Sequence, residues 1–413
     1  MPWWLIKPNS MAKLNGTQID PSRKAAFEKL NININHRAIL CLDGGGMRGI
    51  LTIQLLKKLE DLAGIPCYKL FDMVSGTSTG AIIAGLICTG HSASQIEILY
   101  ENLVTQVFDK RALGNRFVNP PAFSKQTYRK LLYETIRNTT LESACGVQDI
   151  DILLTGQDMA AAEETFFTCF KQADETYHGT YRNVLLRAVM EATMSAPTYF
   201  YPLERFVDGG TTTYNNSSLA AFIEALSYSC PKGKQSNYRM SEVTMFSFGT
   251  GISRQFIKPD ETINPKGVDL SFWLNWLMTQ TPQDASAMQI DMFRSPMMNT
   301  LVDFRRFQIS LDPNSIKKIP NIDALDAKKY KSKWLHDLGE DTLGNIDMAD
   351  VTRFDLMKVI GTQMAEFIVQ SQNNFRTDLV NERGRDVLVS AFGDVPRILK
   401  QMSTPEWVDG FKG

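Results

Sequence analysis

The chain has 413 residues, of which 43% are hydrophobic, and 44 lysines and arginines balance 45 aspartates and glutamates for a formal net charge of −1. This length and apolar content suffice for one large α/β domain or two smaller ones. The balanced charge and the lack of a basic block exclude a dedicated nucleic-acid-binding protein, so we expect no nucleic-acid partner. No cluster of histidine, cysteine or aspartate has the spacing of a zinc site or an EF-hand, so we expect no metal and no cofactor.

The spacing of the cysteines and the length of the apolar runs indicate the cellular compartment of the protein. The six cysteines are widely and irregularly spaced, and several lie inside apolar runs, as is typical of reduced core cysteines in a cytosolic protein. Residues 1–8 contain no basic region followed by a long apolar one, so we expect no signal peptide. We interpret the pair Trp3 and Trp4 as a packed anchor, with a membrane contact as the alternative. No run approaches the length that crosses a bilayer, roughly 18 apolar residues. These patterns predict a cytoplasmic protein.

The first ordered elements surround a glycine-rich turn. Residues 1–35 show little periodicity and are interpreted as an N-terminal arm. The apolar strand predicted at 38–42 then runs into Gly44, Gly45 and Gly46, and leucines at helical spacing follow it. Three adjacent glycines leave backbone amides open to an anion, which suits either a phosphate cradle or the oxyanion hole of an acyl transferase. The absence of a Gly-Lys-Ser/Thr ending disfavours nucleotide binding.

A second glycine-rich turn places a hydroxyl between two glycines. Residues 70–75 predict a buried strand and residues 81–87 a buried helix, with Gly76, Ser78 and Gly80 between them. This is the pattern of a nucleophile elbow, in which the serine has a strained backbone and a β-carbon at either glycine would collide with neighbouring elements. Both turns follow parallel strands, so we expect them to face each other at the carboxyl edge of the sheet.

The middle of the chain supplies further strands. Residues 108–146 are mixed and polar. Residues 151–156 and 164–170 predict a strand pair, and residues 242–248 predict another core strand. We interpret the Gly-Thr-Gly ending of that strand, residues 249–251, as a plain turn, with a place in the lining of the pocket as the alternative.

The stretch from 270 to 300 is rich in large apolar residues. Trp273 and Trp276 precede Thr281 and Pro282, which we interpret as the N-cap and first position of a new helix. Such residues suit an acyl-chain pocket or a membrane-facing lip, and equally helix packing on the core. Beyond them, residues 304–309 predict an edge strand and residues 351–367 an apolar stripe along a helix.

An acidic residue completes the candidate site. Asp208 follows the short apolar pair Phe206-Val207 and precedes Gly209 and Gly210, a position from which a carboxylate can deprotonate a serine directly. The motifs D-G-G-G-x-R-G, G-x-S-x-G, S-A-P-x-Y-F and D-G-G occur in this order, followed by the strand ending in Gly-Thr-Gly. Over roughly residues 37–372 the chain therefore resembles the patatin-like phospholipases.

The resemblance implies a fold and a set of roles. The fold is α/β, with three layers and a central, mostly parallel sheet flanked by helices. Ser78 is expected to be the nucleophile and Asp208 the base of a Ser-Asp dyad, with the Gly44, Gly45 and Gly46 amides and Arg48 around the oxyanion. We expect the catalytic domain at 36–375 and an extension at 376–413. The chain departs from the family at Ser217, where proline is common.

The expected activity is calcium-independent hydrolysis of the fatty acyl esters of phospholipids or galactolipids through an acyl-enzyme, at a transiently bound membrane surface. Two alternatives stay open: an effector phospholipase switched on by a nucleotide signal or a partner protein, and a non-catalytic binding or storage protein. The binding role alone requires neither Ser78 nor Asp208. A third possibility is a conventional triad, for which His336 is the one histidine that follows Asp208 in the chain.

Overall fold

The computed structural model describes residues 20–108, 122–170, 181–229, 238–252, 270–309, 311 and 348–376. The strands are β1 (Arg37–Leu42), β2 (Met73–Gly76), β3 (Asp151–Asp158), β4 (Glu163–Thr168), β5 (Phe206–Asp208), β6 (Val243–Phe248) and β7 (Asp303–Phe307). The helices are α1 (Pro21–Lys29), α2 (Gly49–Ala63), α3 (Cys67–Leu70), α4 (Thr79–Cys88), α5 (Ala93–Val107), α6 (Gln126–Ile136), α7 (Leu141–Gln148), α8 (Leu186–Thr193), α9 (Ser218–Tyr228), α10 (Leu270–Phe293), α11 (Pro296–Asn299) and α12 (Phe354–Gln370).

The strands form one mostly parallel sheet in the order β4-β3-β2-β1-β6-β7, and β5 also pairs with β3. β1 is parallel to β2 and β6, β2 is parallel to β3, and β6 is parallel to β7, whereas β4 and β5 run antiparallel to β3. The last residue of β1, Leu42, lies opposite Gly76 and Phe248, so the loops after these three strands meet at one edge.

Alternate residues of the sheet enter two separate cores. In β1, Leu40 and Leu42 pack into a core formed with α2, α4, α5 and α12. Ile39 and Cys41 point into the other core, which contains residues of α9 and α10. A strand buried on both faces is what a parallel sheet covered by helices requires. The three-layer α/β fold expected from the sequence is therefore confirmed.

Most of the predicted elements are present, with local differences. The strand pair β3–β4, the core strand β6 and the edge strand β7 are as expected. The strand expected at 70–75 is shorter because α3 ends at Leu70. Two helices, α6 and α7, lie in the stretch described above only as mixed and polar.

The N-terminal residues are not wholly an arm. Helix α1 begins at Pro21 and buries Ala26, Phe27 and Leu30 in the same core as α2. The predicted domain boundaries at residues 36 and 375 remain predictions. The structure does not describe residues 1–19, which include Trp3 and Trp4, or residues 377–413.

The expectation of a new helix starting at Thr281 was wrong. Helix α10 continues through Pro282, which lies inside it. An internal proline removes one backbone hydrogen bond and crowds the preceding turn, at a cost of about 3 kcal/mol. Packing offsets this cost, because Phe293 at the end of α10 is fully buried and stacks on Phe304 of β7 at 4.5 Å between ring centroids. Within the described residues, neither α10 nor any other helix is both long enough and apolar enough to span a bilayer.

A buried ion pair joins the first glycine-rich turn to the edge of the sheet. Arg306 in β7 donates to both carboxylate oxygens of Asp43, at 2.8 and 2.5 Å, and also to the Ser247 hydroxyl at 2.8 Å. The side chains of Arg306 and Asp43 are 1% and 5% exposed. Because Asp43 immediately precedes Gly44, this pair positions the glycine turn relative to β6 and β7.

We expect Arg306→Met to lower the free energy of unfolding by about 3 to 5 kcal/mol at pH 7, since it keeps the volume but leaves a buried carboxylate without its partner. Urea unfolding followed by circular dichroism measures the change. Arg239→Met is the matched control, because Arg239 and Glu242 form an exposed ion pair, and it should change stability by less than about 1 kcal/mol. Similar effects in both variants would contradict this account.

Candidate active site

Ser78 occupies a strained turn between β2 and α4. Its backbone has φ 52° and ψ −119°, a conformation rarely adopted by residues other than glycine. The glycines on either side of Ser78 allow the turn to pack closely against β1 and α4. A β-carbon on Gly80 would overlap the carbonyl group of Leu42 in β1, and one on Gly76 would overlap the backbone of Gly80. The strain therefore follows from direct contact between the turn, β1 and α4, as the sequence pattern predicted.

Asp208 ends β5 and lies beside the serine. Its carboxylate accepts a hydrogen bond from the Gly210 amide at 2.7 Å. Ser78 is 8% exposed and Asp208 4%. Burial raises the pKa of the Asp208 carboxyl to about 6, although the Gly210 amide and the nearby Ser78 side chain oppose the rise. Such a carboxylate is more basic than an exposed one, which suits it to accept a proton.

The first glycine-rich turn faces the serine. A β-carbon on Gly44 would lie 3.2 Å from the Ser78 β-carbon, so the two turns are in contact. The Gly44 amide donates to the Asn215 carbonyl at 3.3 Å. By contrast, the amides of Gly45 and Gly46 donate to no acceptor within the described residues. Gly45 and Gly46 are thus the better candidates among the three glycines for binding an oxyanion.

Hydrogen bonds from several elements hold this turn. Thr250, after β6, donates to the Gly44 carbonyl at 2.7 Å. The Gly46 carbonyl accepts from the Thr79 hydroxyl at 2.9 Å and from the Tyr100 hydroxyl. With both carbonyls bonded to hydroxyl donors, the peptide planes of the turn are restricted, which is the preorganisation that an oxyanion site requires.

Arg48 is half-buried and lines the same cavity as Ser78. Its Nε donates weakly to the Gly45 carbonyl, at 3.5 Å, and no described carboxylate forms an ion pair with it. Burial lowers its pKa, which the nearby Tyr199 hydroxyl partly opposes. Arginine remains charged in proteins despite such shifts, so Arg48 supplies a positive charge next to the glycine turn.

The serine and the aspartate open into a cavity of about 1460 Å³. Gly44, Gly45 and Arg48 line one part of its wall, and residues of α10 line another. Among the α10 residues are Leu277, Pro282, Ala287 and Met288. The cavity exceeds the roughly 300 to 1,000 Å³ typical of small-molecule sites, so it accommodates a large substrate.

Two residues that contribute to the site were not predicted. The Ser78 amide donates to the Thr193 hydroxyl at 2.8 Å, and no sequence pattern marks Thr193. The Asn215 side chain lies against Gly44, and the sequence alone assigned no role to it. Thr250 and Gly251 line the cavity, so residues 249–251 take the alternative role considered for them, as part of the pocket wall.

The described histidines lie away from this site. His36 Nδ1 lies 2.9 Å from the Thr244 hydroxyl, and His91 Nδ1 lies 3.1 Å from the Leu86 carbonyl oxygen. Neither lines the cavity that contains Ser78. His178 and His336 lie outside the described residues, so the prediction that His336 is not catalytic remains a prediction.

Comparison with known proteins locates this site within a family. The profile described as Patatin-like phospholipase matches residues 40–223, which include both Ser78 and Asp208. A cUMP-AMP-activated phospholipase of Escherichia coli is 40% identical over 104 residues, covering 25% of this chain and 32% of that protein. An 85/88 kDa calcium-independent phospholipase A2 of Mus musculus is 32% identical over 270 residues, covering 60% of this chain and 32% of that protein.

This chain thus spans about a third of the length of these two relatives. Among solved structures, one similar chain is the human GIVD cytosolic phospholipase A2 in complex with a methyl gamma-linolenyl fluorophosphonate inhibitor and terbium chloride. The two chains superpose with a TM-score of 0.41 and 11% sequence identity, and the match covers 86% of this chain and 62% of that chain. The profile match spans the strained serine turn, the glycine turn and the aspartate described above. Residues 40–223 therefore form a patatin-like phospholipase domain.

Proposed function

We propose that the protein hydrolyses fatty acyl esters of membrane lipids, with Ser78 as nucleophile and Asp208 as base. The observation that carries this proposal is that the strained Ser78 and the buried Asp208 carboxylate, whose pKa the Ser78 side chain lowers, line the wall of the same large cavity. A binding protein requires no such pair. The patatin-like phospholipase domain at residues 40–223 supports the same reaction class.

The reaction proceeds through an acyl-enzyme. Asp208 takes the proton of the Ser78 hydroxyl as the oxygen attacks the acyl carbonyl, and the carbonyl oxygen becomes an oxyanion. The amides of Gly45 and Gly46, with the charge of Arg48, stabilise that oxyanion. The C–O bond to the alcohol then breaks, and Asp208 returns its proton to the leaving oxygen. A water molecule, deprotonated by Asp208, then attacks the acyl-enzyme. The bond between the acyl carbon and the Ser78 oxygen breaks, Asp208 returns the proton to that oxygen, and the fatty acid is released.

The substrate class follows from the cavity and from α10. Trp273 and Leu277 on α10 are 45% and 54% exposed, and Met288 is 64% exposed. Leu277 and Met288 also line the cavity, so exposed apolar side chains stand at its entrance. A lipid bilayer covers such side chains when the protein binds it, and contact at this entrance places an ester within reach of Ser78. Phospholipids and galactolipids both fit this description.

Regulation by a small molecule is a second part of the proposal. The Escherichia coli relative is named for activation by cUMP-AMP, and its match to this chain covers 104 residues at 40% identity. We therefore retain the hypothesis that a nucleotide or a partner protein activates this enzyme. Ester hydrolysis measured with and without cUMP-AMP tests the nucleotide, and an unchanged rate excludes it as an activator.

Ser78→Ala and Asp208→Asn should each lower hydrolysis of a lipid ester at least about a thousandfold, because both groups act in one proton-transfer unit. The double variant should be no slower than the slower single variant. Release of fatty acid from mixed phospholipid and galactolipid vesicles, followed by mass spectrometry, measures the loss. Ser75→Ala is a matched control, since Ser75 is a buried hydroxyl in β2 that bonds Ser217 instead. Near-normal turnover by either dyad variant would refute the assignment.

The rate should rise with pH through the pKa of Asp208. Since burial raises that pKa to about 6 and only the ionised carboxylate accepts the serine proton, kcat/KM on a soluble p-nitrophenyl ester should increase from pH 5 to 7 and then level off. A pH series measured in buffers of equal ionic strength checks this. A rate that is constant over this range, or that falls as the pH rises, would contradict Asp208 as the base.

Trp273→Ser combined with Leu277→Ser should lower hydrolysis of vesicle lipid about tenfold or more, relative to its effect on a soluble p-nitrophenyl ester. Burial of apolar surface at the interface contributes about 25 cal/mol per Å², and serine removes most of that surface. Val147→Ser is the control, because Val147 on α7 is 59% exposed and does not line the cavity. Equal losses on both substrates would show that these residues serve folding instead.

A further inference from the structure

A small apolar chamber adjoins the nucleophile and is distinct from the large cavity. Its volume is about 20 Å³, and apolar side chains of α4, α5 and the loops after α5 and α8 form most of its wall. They include Ile82, Leu103, Val104, Phe108 and Phe200. Ser78, Ala196 and Met348 line both the chamber and the large cavity, so the two spaces meet at the serine.

The chamber continues into a third space. A groove of about 580 Å³ lies between α4, α5 and α6, with Leu86, Leu99, Leu131 and Leu132 in its wall. Ile82, Tyr100 and Leu103 line both the chamber and this groove. The three spaces thus form one series, in which Ser78 separates the large cavity from the chamber and Ile82 and Leu103 separate the chamber from the groove.

Helix α4 runs from Ser78 past the chamber to the groove. Ser78, Ile82 and Leu86 are spaced four residues apart, so they lie along one face of the helix that begins at the nucleophile. Each step of four residues advances about 6 Å along the axis. An extended apolar chain bonded to Ser78 would therefore pass Ile82 first and Leu86 second.

The polarity of the residues that line each space indicates which part of the substrate it holds. Few polar side chains face the chamber, so a head group or a glycerol would lose its hydrogen bonds to water there without replacement. The wall of the large cavity, in contrast, combines apolar residues with the polar side chains of Arg48, Gln283, Asp284 and Gln308, so it can accept the polar part of a lipid. An acyl chain is the one part of an ester substrate that is both apolar and attached at the carbonyl that Ser78 attacks.

We propose that the acyl chain of the scissile ester lies along α4, in the chamber and the groove beyond it, and that Ile82 and Leu103 form the gate that sets the preferred chain length. This inference rests on the proposed function. The chamber has room for about one water molecule, so a chain enters only as the side chains of Ile82 and Leu103 move apart. Side chains change rotamer rapidly, whereas the backbones of α4 and α5 stay packed.

The test compares kcat/KM for p-nitrophenyl butyrate, hexanoate, octanoate and decanoate, all kept below their micellar concentrations. In the wild type we expect kcat/KM to rise up to about fourfold per added methylene, as burial of a CH₂ group implies. Ile82→Phe should narrow the gate and lower the decanoate-to-butyrate ratio at least about tenfold. Leu103→Ala should widen the gate and raise that ratio, a change that a folding defect does not produce.

Ala287→Phe is the matched control, since it adds similar bulk to the wall of the large cavity. It should leave the decanoate-to-butyrate ratio within about twofold of the wild type. If Ala287→Phe abolishes the preference for decanoate and Ile82→Phe does not, the acyl chain lies in the large cavity and the inference is wrong. An active wild type with no chain-length preference also overturns it. A wild type that hydrolyses none of the esters refutes the proposed function itself.

Discussion

The close approach of α4 to β1 is the constraint on which the site depends. Gly80 lies against the Leu42 carbonyl so closely that no side chain fits between them, and the Thr77 amide donates to that same carbonyl at 3.2 Å. This contact forces Ser78 into its positive φ and points α4 away from the edge of the sheet. Because Leu42 is also the last residue of β1, one residue before Asp43 and the first glycine turn, this contact brings Ser78 and the glycine turn together.

Two buried aspartates near this contact differ in their partners, and this difference suits one to a structural role and the other to proton transfer. Asp43 is paired in bidentate geometry with Arg306, so its charge is compensated and it positions the turn. Asp208 accepts a hydrogen bond from Gly210, and burial raises its pKa to about 6. Burial raises the pKa of Asp43 as well, but the Arg306 guanidinium opposes that rise and occupies both carboxylate oxygens, whereas no cation among the described residues opposes the rise at Asp208, which suits Asp208 to accept a proton.

The proposed acyl site determines how the two parts of the substrate lie relative to Ser78. The wall of the large cavity contains charged and amide side chains as well as apolar ones, whereas that of the chamber is mostly apolar, so an ester lying across Ser78 meets a different environment on each side of its carbonyl. Binding energy from the acyl chain is gained away from the reacting atoms, and it can offset the cost of placing the carbonyl in the oxyanion site. The exposed apolar residues of α10 would then act earlier, when the lipid leaves the bilayer.

The sequence by itself determined the elements whose signals are local. Gly76, Ser78 and Gly80 predicted a strained turn because only glycine tolerates such contacts, and the alternation of strands and helices predicted a parallel sheet with both glycine turns at one edge. Tertiary structure decided what depends on contacts between distant residues: the continuation of α10 through Pro282, the pairing of Asp43 with Arg306, and the bonds from Thr193 and Thr250 to the turns. These contacts join residues up to 263 positions apart, and no periodicity or spacing records which side chains meet across such distances.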